Sequence, residues 1–296
     1  MFKRFMLFFG VNIAIMVVLN IVIQLLGLDP WMNAYGINYQ SLAVMCLVWG
    51  MGGSFISLML SKWMAKTMMG VELITPNGPQ GEIAQMVHNL ARRAGIEKMP
   101  EVGIFEDPSP NAFATGPSKN NSLVAVSTGL LNSMDRRQVE AVIGHEISHI
   151  VNGDMVTMTL IQGVVNAFVM FLARALAFAI GQASRGENDR GGGFGSLANM
   201  VLVIVFEIIF GIAGSVIVAW FSRHREFRAD AGGAQLAGRE NMIGALESLQ
   251  RAYPALEKKE AAFASLQISS RGSWLQLFST HPPLEKRILA LQRRAS

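Results

Sequence analysis

The sequence predicts a mainly α-helical membrane protein, with four hydrophobic helices joined to a helical domain in water that carries a small β-sheet. Hydrophobic residues make up 51% of the 296-residue chain and charged residues 16%, against about a quarter charged in an ordinary soluble domain. Mean hydropathy is +0.35. Apolar runs recur at lengths near the roughly 20 residues that a spanning helix needs, and charged, amphipathic stretches separate them.

Residues 5–27 and 42–60 carry no charge, residues 155–180 contain only Arg174, and residues 197–221 contain only Glu207. The first run follows Lys3 and Arg4 but no A-x-A cleavage site, so it reads as an uncleaved anchor. A charge near mid-span costs about 2.5–3.5 kcal/mol on insertion scales, which the Leu, Ile, Phe and Val around it offset. Two arrangements stay open for the last two runs: a crossing hairpin in which Arg174 and Glu207 pair, or a re-entrant pair. Residues 28–40 hold no Lys or Arg, whereas Lys62, Lys66, Arg92, Arg93, Arg136 and Arg137 follow the second run and Arg223, Arg225 and Arg228 follow the fourth. Positive residues stay inside. Both termini are therefore expected in the cytoplasm, with the glycine-rich residues 181–196 as a turn on the far side. The expected organisation is two N-terminal spans (1–60), a cytoplasmic part (61–154), a transmembrane hairpin (155–221) and a second cytoplasmic part (222–296).

Residues 81–94 form an amphipathic helix in which His88 is structural. Two β-like pieces, 101–106 and 122–126, flank a connection rich in Pro, Asn and Gly. The second piece suits an edge strand, which can hold an extended peptide by main-chain pairing. From Met242 to Arg294 the chain reads as amphipathic helices, broken at Pro254 and by a loop at 269–273. The 18 methionines are scattered through apolar stretches as packing residues. One cysteine, Cys46, excludes a disulfide framework and a cysteine zinc site and fits a reducing cytosol. The net charge of +4 is modest, and no nucleic-acid motif appears. The basic residues are read as membrane-proximal, so the expected partners are a lipid bilayer and no nucleic acid.

The chemistry is concentrated in His145-Glu146-Ile147-Ser148-His149, an H-E-x-x-H inside an apolar helical run. Residues four apart share a helix face, so both imidazoles point the same way and supply half of a tetrahedral zinc site. Glu146 stands beside that metal, free to take a proton from water. The metzincin third histidine is absent, since Met155 occupies its place. A later helix offers Glu226 as third ligand, with Asp230 on the same face to accept a hydrogen bond from a ligand histidine. His224 is two residues away and faces elsewhere. His149 precedes Met155 by six residues and Glu226 follows Phe221 by five. At 1.5 Å per residue a hairpin would return both to one membrane face, about 8–9 Å from its edge. Asp154 either orients a ligand or only ends the helix.

These residues, with the tracts NAFATG (111–116), SLVAVSTGLL (122–131), HEISHIVNGDMVTMTLIQGVVN (145–166), FSRHREFRADAG (221–232) and THPPLEKRI (280–288), resemble the HtpX family of bacterial membrane zinc metallopeptidases, related to the CAAX prenyl endopeptidases. The resemblance runs nearly end to end. It implies a zincin-like (gluzincin) domain, one Zn2+ per chain on His145, His149 and Glu226, and Glu146 as catalytic base. It implies a multi-pass bacterial inner-membrane protein, its active site in the cytoplasm, that cleaves misfolded membrane proteins under stress. It also places Asn111 and Ala112 in a substrate-binding loop, where a purely structural loop is the other reading. His281, held in a Thr-His-Pro-Pro turn, is either an oxyanion stabiliser or a packed residue.

The expected substrates are membrane proteins or peptides. A prenyl-peptide endopeptidase is the alternative, and a non-catalytic zinc-binding scaffold is the alternative from another class. A scaffold needs four protein ligands, and three good ones are present. Physiological substrate, cleavage specificity and oligomeric state do not follow from the sequence.

Overall fold

The computed structural model describes residues 38–183, 194–261 and 279–293. The first hydrophobic run, most of the glycine-rich turn and the loop at 269–273 lie outside the described residues. The elements, in chain order, are α1 (Tyr39–Met68), β1 (Glu72–Ile74), α2 (Gly81–Arg93), β2 (Glu101–Phe105), β3 (Ala112–Ser118), β4 (Asn121–Ser127), α3 (Thr128–Ser133), α4 (Arg136–Asn152), α5 (Asp154–Ala183), α6 (Phe194–Ala237), α7 (Arg239–Ala261) and α8 (Leu284–Arg293). They fall into two compact units, Met1–Ile56 with Thr159–Val218 and Ser57–Met158 with Ala219–Ser296.

The first unit is built from long apolar helices. Among the described residues three are long and apolar enough to cross a membrane: Tyr39–Met68, Asp154–Gly181 and Leu197–Ala237. Phe171 is fully buried against Ala43, Cys46 and Ala175. Small residues let the helix backbones approach, as lipid-embedded helices require. A Cβ on Gly50 would lie 2.6 Å from the Ala167 backbone nitrogen. The two charges of the apolar runs find each other: Arg174 Nη1 donates to Glu207 Oε1 at 2.6 Å and to the Met170 carbonyl at 3.1 Å.

In the second unit one apolar core joins α2, the sheet, α4, α7 and α8. Helix α4 begins where Asp135 accepts from the Arg137 and Gln138 backbone N–H groups and Gln138 reaches back, a capping box. It ends at Gly153, whose φ of 71° is a left-handed conformation that favours glycine. Ile143, Ile147 and Ile150 on α4 are fully buried. Their spacing anchors the helix on its apolar stripe and turns the neighbouring positions toward the site.

The sheet order is β1-β2-β4-β3, with β2 and β4 parallel and the outer pairs antiparallel. The piece expected at the edge, 122–126, is therefore interior. It lies between β2 and β3, and Leu123, Val124, Ala125 and Val126 are all fully buried. A run that is apolar on both faces belongs inside a sheet. The edge strand beside the H-E-x-x-H helix is β3, where Gly116 and Pro117 accompany an irregular register after Thr115. Proline is tolerated there because an edge strand has backbone to spare.

One further expectation is corrected. Helix α7 continues through Pro254 to Ala261, since losing one backbone donor does not end a long helix that is held elsewhere. Helix α6 runs unbroken from Phe194 to Ala237, past Phe221 where the apolar run ends. Its charged segment contains no proline or glycine before Gly232, so nothing there interrupts the helical bonding.

Candidate active site

Helix α4 presents His145 and His149 on one face, with ring centroids 4.7 Å apart. Their Nε2 atoms are 3.1 Å from each other. Helix α6 brings Glu226 to the pair: Oε2 lies 3.5 Å from His145 Nε2, and Oε1 lies 3.4 Å from His149 Nε2. Four ligands at 2.0–2.1 Å around a tetrahedral zinc stand about 3.3 Å from one another, so these separations fit the ion. Two imidazole lone pairs aimed at one point beside a carboxylate also have the donor chemistry of a zinc site. The three donors are buried or nearly so; a zinc held by these three would have a fourth position for water or substrate, as catalytic zinc requires.

The outer nitrogens are held as well. His149 Nδ1 lies 2.7 Å from Asp154 Oδ2, and His145 Nδ1 lies 3.0 Å from Asp230 Oδ1. Asp154 thus contacts one histidine of the pair and Asp230 the other. Each aspartate carries an arginine: Arg228 Nη2 donates to Asp154 Oδ1 at 2.7 Å, while Arg287 donates to both oxygens of Asp230, from Nε at 2.8 Å and from Nη2 at 2.6 Å. Burial disfavours a charge on His145, but hydrogen bonds to Asp230 and Glu226 and the nearby Glu146 outweigh it and raise its pKa to about 9. Burial likewise opposes charge on His149, and Asp154 and Glu226 raise its pKa. Metal binding displaces such protons.

Helix α6 approaches α4 this closely through Gly232 and Gly233. A Cβ on Gly233 would stand 2.9 Å from the His145 backbone nitrogen, and one on Gly232 would stand 2.3 Å from Ser148 Oγ.

Glu146 lines a cleft of about 690 Å³ together with His145 and Glu226. Leu130, Val142, Met242, Leu246 and Leu249 form its apolar wall, and Asn111, Ala112, His281 and Arg287 also border it. Ser127 pins the loop that carries Asn111: its Oγ accepts from the Asn111 N–H at 2.9 Å, and its own N–H donates to the Asn111 carbonyl at 2.8 Å. His281 lies with Nδ1 2.8 Å from Glu226 Oε2. The other two histidines stand apart: His88 bonds the Pro100 carbonyl and His224 the Trp220 carbonyl. Sequence reasoning missed Arg287 and Arg228. The sole signal for Arg287 was its place within the tract THPPLEKRI.

The family model for peptidase family M48 matches residues 77–295. The chain belongs to peptidase family M48. It is 50% identical to a protease HtpX homolog of Methylacidiphilum infernorum over 99% of both chains. It is 51% identical to a protease HtpX of Thioalkalivibrio sulfidiphilus over 98% of both. Among solved structures it is similar in fold to Ste24p of S. mikatae, with a TM-score of 0.58 at 20% identity, covering 93% of this chain and 66% of that one. The chain is thus a zinc-dependent metalloprotease, integral to a membrane through its apolar helices.

Proposed function

We propose that this peptidase hydrolyses peptide bonds of membrane proteins at the cytoplasmic face of the bacterial inner membrane, removing misfolded or damaged chains. The observation that carries the reading is the convergence of His145, His149 and Glu226 within 4.8 Å of one another, two of them, His145 and Glu226, lining a cleft that Glu146 also lines. Zinc held by the three ligands would polarise a scissile carbonyl and make water acidic near neutral pH. Glu146 takes the proton of the attacking water and delivers it to the leaving amine. Asp154 and Asp230 keep the histidine rings turned with Nε2 toward the metal. An extended substrate lies along β3, main chain to main chain, next to Asn111 and Ala112. His281 stands at the cleft wall, where a donor would meet a developing oxyanion.

The membrane assignment rests on charge: basic residues follow the second and fourth apolar runs, while residues 28–40 have none. On that reading the chain crosses four times, both termini and residues 61–154 and 222–296 are cytoplasmic, and the zinc lies close to the bilayer surface. Substrates would then be cytoplasmic loops of membrane proteins.

The test is cleavage of an unfolded membrane protein by detergent-purified enzyme, stripped and reloaded with zinc. Wild type should cleave, and Glu146→Gln should bind one zinc and not cleave. One equivalent of zinc with no cleavage by wild type would instead mark the scaffold reading.

A further inference from the structure

Two relays stand behind the histidines, and they differ in the burial of their last member and in how it bonds. One runs His149–Asp154–Arg228 and the other His145–Asp230–Arg287. The Arg228 side chain is 59% exposed and makes one bond to Asp154. The Arg287 side chain is 7% exposed and grips Asp230 with a two-pronged contact. Arg287 Nη1 also stands 3.5 Å from Glu226 Oε2, and Nη2 stands 3.5 Å from His145 Nδ1.

We propose that Arg287 is a positioning residue for the metal, holding Asp230 so that two of the three ligands, His145 and Glu226, keep their places. The inference rests on the reading that His145, His149 and Glu226 bind zinc. The planar guanidinium can satisfy both oxygens of one carboxylate in a fixed orientation, which an ammonium cannot. Inside the protein, where water does not compete, that orientation is inherited by the Asp230 oxygen facing His145 Nδ1, and through it by the imidazole. The guanidinium also lies between Asp230 and Glu226 and balances two buried negative charges whose repulsion would otherwise spread them apart. Arg287 belongs to α8, which packs chiefly on α7. The metal site is therefore completed by the docking of a C-terminal helix that contributes no ligand. Arg228, exposed and singly bonded to Asp154, should matter less, because solvent screens it.

The experiment measures zinc affinity of the full-length protein in detergent by competition with a chromophoric chelator, with cleavage assayed in parallel. Wild type and His145→Ala come first. If removing the histidine leaves zinc affinity intact, the ligand reading itself fails. With that reading standing, Arg287→Gln should weaken zinc about 10–100-fold, the usual effect of losing a partner behind a ligand. Arg287→Lys should recover only part of the loss, and Arg228→Gln should lose under threefold. In an Asp230→Asn background, Arg287→Gln should cost clearly less than it does alone, since its route through Asp230 is already cut and only its approach to Glu226 remains. Wild-type affinity in Arg287→Gln, full recovery by lysine, or additive losses in the double variant would each overturn the proposal. Should Arg287→Gln fail to fold, zinc affinities of Arg287→Lys alone and combined with Asp230→Asn decide the same question.

Discussion

Replacing Gly233 by alanine tests whether helix α6 must lie against α4 for the ligands to converge. The new Cβ would meet the His145 backbone nitrogen at 2.9 Å and the His145 Cα at 3.2 Å. Comfortable contact between such atoms begins at about 3.5 Å, so the helices must part by about half an ångström. The obstacle is backbone, which cannot swing aside as a side chain can. Zinc sites hold their distances to about 0.2 Å, and the displaced helix carries Glu226 and Asp230. The expected result is a 10–100-fold loss of zinc affinity, as for a lost orienting partner, with cleavage lowered at least as much. The assay is chelator competition on detergent-purified protein, alongside thermal melts of the stripped enzyme. Gly244→Ala on α7 serves as control: its Cβ would meet only Gln138 Nε2, at 3.6 Å, so it should bind zinc normally and gain up to about 1 kcal/mol of helix propensity. Zinc affinity of Gly233→Ala within twofold of wild type would refute the claim that this close approach sets the site.

Three other outcomes are expected. Because His145 in the metal-free site has its pKa raised to about 9, zinc binding must expel that proton, and apparent affinity should rise with pH from 6.5, by up to about tenfold per unit for this one proton, and level off near 9; a flat profile, after correcting for the chelator, would count against the geometry. The same shift stabilises the metal-free fold fully below pH 6.5 and is lost as pH rises through 9, so thermal midpoints of the stripped protein should fall over that window. Arg174→Glu and Glu207→Arg should each lower thermal stability, and the double exchange should restore part of it; a double variant no better than the singles would show that the 2.6 Å pair contributes nothing as a pair. Ile147→Ala, opening a cavity at a fully buried position, should cost about 2–5 kcal/mol in denaturant titrations of the second unit, and a cost below 1 kcal/mol would mean that the core collapses around it.

Much of the site was legible because its chemistry is local. His145 and His149 are four apart, with Glu146 next to the first, and Glu226 and Asp230 are four apart on another helix, so periodicity puts each pair on one face. Arg287 was not legible: it is 142 residues from His145, and no local pattern marks an arginine in a surface-like tail as buried. The sheet failed for a different reason. Gly116 and Pro117 read as a turn, which hid β3, and the loss of β3 made its neighbour β4 look like the edge. The unbroken run of buried residues 123–126 was the available signal that β4 has strands on both sides.

The open edge of β3 has a thermodynamic consequence. Its regular pairing with β4 covers only Ala112 to Thr115 before the register shifts. A partner on the other side must therefore arrive as a few residues of extended chain. A segment locked in a helix or an intact sheet cannot offer that form unless its own fold opens. For a protein stable by 5–15 kcal/mol, such openings are rare. A lesion that removes about 3 kcal/mol makes them more than a hundredfold commoner, at tenfold per 1.4 kcal/mol. The enzyme need not recognise damage by any sequence mark. Its cleavage rate would follow the population of opened chains, so that healthy neighbours in the same bilayer are spared by their own stability.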